Sequence, residues 1–100
     1  MRDRFDELIA RQLSLFETDH AQLIRDCDQA ERAYDLAAKD EAEERYGDFL
    51  DLVETATEAL ADIRDHYSWT LTRDIAIAYE QAFNRAVLKW FPRFALGLEP

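Results

Sequence analysis

Glycine and proline are nearly missing from this chain: Gly47, Gly97, Pro92 and Pro100 are the only examples in 100 residues. Little therefore punctuates strands or tight turns before the C-terminal end, and long helices are favoured. Cys27 is the only cysteine, which excludes an intramolecular disulfide and a thiolate-rich zinc site. With no sign of an oxidising compartment, a cytoplasmic location is the expectation. No apolar run approaches the roughly 20 residues that cross a bilayer. The opening Met1-Arg2-Asp3-Arg4-Phe5-Asp6-Glu7 also lacks the apolar stretch of a secretory leader. Serine occurs only at Ser14 and Ser68, and neither a glycine-rich phosphate loop nor a nucleophile turn surrounds either one. Bases are scarce too. The 12 Lys and Arg stand against 22 Asp and Glu, a net charge of -10, so most of the surface repels phosphate and nucleic acid is not an expected partner.

What is present describes a folded helical domain. Hydrophobic residues make up 48% and aromatic residues 12% of the chain, too much for a disordered segment, and residues 1–100 are enough for one modest core. The charge is uneven: residues 1–67 carry eight bases against nineteen acids, while residues 68–100 are close to neutral.

Two heptad seams organise the first two thirds. From Ile9 the residues Leu13, Phe16, His20, Leu23, Cys27, Ala30, Tyr34 and Ala37 follow in alternating steps of four and three. Ala42, Tyr46, Phe49, Val53, Ala56, Leu60, Ile63 and Tyr67 repeat the pattern. The seams predict helices over about 2–38 and 42–67. Lys39-Asp40-Glu41 is the only plausible reversal between them, and the acids that follow suit a helix start. A hairpin there sets Leu23 against Ala56, Cys27 against Val53, Phe16 against Ile63 and Tyr34 against Tyr46, so large residues often face small ones.

A third helix is expected to begin among Ser68–Thr72 and to end before Pro92. Its apolar face, which includes Ile75, Tyr79, Phe83, Val87 and Trp90, is wider than a coiled-coil stripe and fits a groove between the other two. The expected fold is all-α, an antiparallel three-helix bundle with a long coiled-coil-like hairpin, followed by an apolar tail of Phe94, Leu96 and Leu98 that folds back or meets another chain. One mismatch stands out. A continuous first helix spans about 55 Å, whereas its partners reach roughly 40 and 30 Å. Either a second protomer covers its first turns or it breaks near Thr18-Asp19, giving four helices. Ser14-x-x-Glu17 and Asp19-x-x-Gln22 both read as capping boxes, yet the heptad passes through them.

Few residues suggest chemistry. Glu17-x-x-His20 has the spacing with which di-iron bundles point two ligands inward, and the hairpin brings Asp62 and His66 within about two turns of it. Only His20 lies on the seam, so a buried or interfacial histidine is the simpler reading, and no metal, cofactor or catalytic residue is assigned. Cys27 and His20 lie about 10.5 Å apart along a helix, too far for a nucleophile and its base, and Cys27 reads as a small buried hydrophobe. The stretch Asp35–Glu54 holds eight acids against Lys39 and Arg45, either a solvated face or a docking surface for a basic protein. Lys89-Trp90-Phe91-Pro92-Arg93-Phe94 joins aromatics to cations, either completing the core of the last helix, as aromatics at helical spacing usually do, or forming an interface.

The functional expectation is a small acidic helical protein–protein interaction module without catalysis, self-associating as a homodimer. Phe5, Leu8, Ile9, Trp90, Phe91 and Phe94 are its candidate interface. The alternatives are a metal-binding bundle using Glu17, His20, Asp62 and His66, and an acidic inhibitor or antitoxin-like protein that masks a basic partner.

Overall fold

The structure is a computed structural model that describes residues 4–98. Among them the chain is all-helical: α1 Asp6–Asp19, α2 Ala21–Asp35, α3 Ala42–Ser68, α4 Arg73–Trp90, α5 Pro92–Ala95 and a closing 3-10 turn, Leu96–Leu98.

Of the two expectations for the first span, one helix over 2–38 or a break near Thr18-Asp19, the structure has the break and gives two helices; residues 2 and 3 of that span lie outside the described residues. The break falls at His20, whose φ of -115° and ψ of 29° leave the helical region for a single residue. Backbone bonding continues across it, with His20 N–H donating to Phe16 O at 2.9 Å and Ile24 N–H to His20 O at 3.0 Å. The junction is therefore a bend. Thr18, two residues earlier, donates its hydroxyl to Ser14 O at 3.1 Å, a back-bond that tilts helices. Neither α1 nor α2 opens on a side-chain cap, so the capping-box pattern at Asp19 does not set the boundary.

The bend answers the length mismatch within one chain. α1 leans onto α4, in the same chain direction, with Phe5 edge-on to Tyr79 at 5.5 Å and Phe16 edge-on to Phe91 at 5.4 Å. α2 packs along α3 more extensively than any other pair of elements. Near the reversal the Tyr34 and Tyr46 rings stand 5.1 Å apart. Together these give a body of 50 × 24 × 24 Å.

The core sits toward the end where α1, α3 and α4 meet. Leu13, Cys27, Leu60, Tyr79, Phe83, Val87 and Phe94 are fully enclosed there. Between Asp28 and Thr55, covering most of α2 and the first half of α3, no residue is fully buried. That half is an arm projecting from the core.

The C-terminal tail folds back. Phe91 has a φ of -139° and ψ of 67°, off the helical region as a residue before proline must be, and Pro92 then starts α5. Phe94 and Leu98 enter the core while Leu96 stays outside. Polar contacts lock the return in place. The Thr57 hydroxyl lies 2.9 Å from Val53 O and 3.1 Å from Phe94 O. Arg64 and Asn84 both donate to Leu98 O, at 3.0 and 2.9 Å. Gly97 has to be small here: a Cβ on it would stand 2.6 Å from the Thr57 methyl.

Candidate protein-binding groove

The side chains expected to mark an interface are mostly spent within the chain. Phe5, Ile9 and Phe94 are buried, Leu8 and Phe91 are half-buried, and of the six only Trp90 is exposed. The bend at His20 lays the first turns of α1 against α4, with Phe5 on Tyr79 and Phe16 on Phe91.

The four residues of the metal-binding alternative do not converge either. Asp62 and His66 share a shallow depression with Gln12 and Thr70. Glu17 is exposed on α1, and the His20 ring lies 5.2 Å from that of Phe16 at the bend. Among the described residues no three or more His, Cys, Asp or Glu side chains form a group able to hold a metal. Cys27 is enclosed, and burial pushes its thiol pKa up, opposed by the charge of Arg93. A thiol held protonated in this way is a poor nucleophile.

Exposed apolar surface collects elsewhere. Along the outer side of α3, between that helix and the returning C-terminal segment, runs an open groove of about 750 Å³. Its floor is Phe49 and Val53, both half-buried. Tyr46, Leu50 and Leu96 stand at its edges, 44%, 42% and 84% exposed. Gly47 widens it, because no atom lies within 4 Å of where its Cβ would be.

The walls differ in charge. On the α3 side Asp51, Glu54 and Glu58 are exposed, and among the described residues none of the three is ion-paired. Arg93 stands opposite them but is already engaged. It donates to Asp28 Oδ1 at 2.7 Å and to Glu31 Oε1 at 3.0 Å, and its guanidinium lies over the Phe94 ring at 5.1 Å. Burial works against its charge, but the hydrogen bond and charge of Asp28, with Cys27 and Glu31, outweigh that and raise its pKa. The groove therefore offers an apolar floor, an acidic wall and a wall whose cation is neutralised from behind.

The heptad seam placed Tyr46 and Phe49 in the core and passed over Leu50. A neighbouring stripe, Tyr46, Leu50, Val53 and Thr57, has the same four-three-four spacing. That second stripe was the available sign that α3 carries apolar surface on more than one side. No family model, curated protein or solved structure matches the chain.

Proposed function

We propose that this chain is a small acidic helical interaction module, acting in the cytosol without catalysis, that presents the arm of α2 and α3 to a protein partner. The observation that carries the reading is the open groove on α3: apolar side chains edge it, unpaired carboxylates line it, and none of the described residues covers it. Exposed apolar patches of this kind, rimmed by polar groups, mark sites of association. The paired α2 and α3 form a coiled-coil-like hairpin that holds the surface rigid, so little ordering entropy opposes docking. Cys27 is enclosed in the core, and burial raises its pKa, so it offers no exposed thiolate. Self-association was expected from uncovered chain ends; of those side chains Phe5, Ile9 and Phe94 are covered by their own chain, while Trp90 is exposed.

Photo-crosslinking in cells tests the module reading. A reactive residue placed at Leu50 or Leu96 is expected to give discrete adducts of higher mass, and one at exposed Arg11 on α1 is expected to give none. Equal labelling from all three positions would contradict it.

A further inference from the structure

We infer that the groove on α3 receives an amphipathic helix of a partner protein, about three to four turns long, with an apolar stripe and with lysine or arginine along one flank. The inference rests on the interaction-module reading and names the class of partner. Length comes from the groove itself: its α3 wall runs from Tyr46 to Glu58, about 18 Å at 1.5 Å per residue, the rise of a helix lying alongside. The apolar stripe follows from the floor of Phe49 and Val53 and the edges at Leu50 and Leu96, which match side chains repeating at i, i+3, i+4 and i+7. Charge settles the flank. Asp51, Glu54 and Glu58 on one wall are free to pair, whereas Arg93 on the other is held by Asp28 and Glu31. A basic flank is thus matched on the α3 side only, and the opposite flank faces Leu96 and Gly97, where neutral side chains fit. A second copy is the poorer occupant, because two chains of net charge -10 repel one another on approach.

Binding of fluorescent synthetic peptides to the full chain, followed by anisotropy, tests this. The probe is a helical peptide with a leucine stripe and one lysine flank. Its controls replace the lysines by glutamate or scramble the order so that the stripe is lost. The lysine peptide is expected to bind with a dissociation constant on the order of micromolar, and each control at least about tenfold more weakly. Glu54→Lys with Glu58→Lys, or Leu50→Gln alone, should each weaken the lysine peptide by about tenfold or more. All of these positions are exposed, and unchanged thermal melts would verify folding. Glu43→Lys with Glu44→Lys makes the same change of charge at the end of the arm and should cost less than about threefold, since distant exposed charges are screened.

A loss as large from the Glu43 and Glu44 pair as from the groove pair would mean that net charge alone attracts the peptide, and would overturn the inference. Binding abolished by the Glu43 and Glu44 pair but spared by the groove pair would overturn the groove while leaving the module reading intact. Glutamate and lysine peptides binding equally would overturn the charge match. No binding at all would also sink it, with the crosslinking outcome still deciding whether the chain is a module. Finally, a dimer of the chain alone in sedimentation, dissolved by Leu50→Gln, would assign the groove to a second copy and overturn the partner-helix reading.

Discussion

Replacing Gly97 by alanine adds one methyl group, and the consequence follows from a single contact. The new carbon would stand 2.6 Å from the Thr57 Cγ2 atom, well inside van der Waals separation. Backbone geometry is no obstacle, because no glycine in the described chain has a positive φ. The Thr57 side chain is not free to swing away. Its hydroxyl has one proton, shared between Val53 O at 2.9 Å and Phe94 O at 3.1 Å, and rotating the methyl aside moves the hydroxyl off both. Overpacking of this kind costs roughly 1–3 kcal/mol. Loss of glycine's freedom in the unfolded chain offsets about 0.4–1 kcal/mol, leaving a net destabilisation of about 1–2 kcal/mol. For a domain of this size that lowers the melting temperature by roughly 5–15 °C. Thr57→Ser removes the obstructing methyl and keeps the hydroxyl, at a cost of under about 1 kcal/mol. In that background Gly97→Ala should be neutral or stabilising, so the cycle yields a coupling of at least about 1 kcal/mol. Thermal melts of the wild type, two single variants and the double variant measure it. Equal losses from Gly97→Ala in both backgrounds would refute the packing of the C-terminal return on α3.

Two further outcomes follow from the same geometry. Gly47 lies inside α3 with open space where its Cβ would be, so Gly47→Ala should stabilise by about 0.5–1 kcal/mol, the gain in helix propensity, and a lower melting temperature would show that a neighbour occupies that space. Tyr79 has its pKa pushed up to about 12 from 10.0, by burial first, with the Gln12 hydrogen bond pulling the other way. The folded state thus keeps a proton that the unfolded state loses. Stability from this group is whole below pH 10.0 and falls between there and about 12, by up to roughly 3 kcal/mol. Urea unfolding across that range, compared with Tyr79→Phe, isolates the effect, and identical pH dependence in the two proteins would contradict it.

Much of the helical layout was legible in the residues because it depends on local spacing. The run from Ala42 to Tyr67 carries an unbroken heptad, and the helix there spans Ala42–Ser68. Pro92 and the residue before it ended the next helix for a stereochemical reason visible in any sequence. The bend at His20 was harder to read, because the heptad continues through it and the competing signals at Ser14 and Asp19 are weak. What decides it is tertiary: α4 offers Tyr79 and Phe91 to Phe5 and Phe16, and straight continuation would forgo both contacts. The candidate interface residues were ambiguous for the same reason. Phe5, Ile9 and Phe94 are apolar enough for an interface or a core, and only the direction of α1 distinguishes the two. The groove was hidden because it forms between α3 and a segment some 40 residues later in the chain, and neither wall alone marks it.

Backbone chemical-shift mapping with the lysine-flanked helical peptide reaches the central claim, that the free surface of α3 is where this chain meets its partner. The account predicts perturbations confined to the stretch from Tyr46 to Glu58 and to Arg93, Leu96 and Gly97, with α4 around exposed Ile77 and Leu88 unaffected. Shifts concentrated on that face of α4, or spread evenly over every acidic residue, would contradict it.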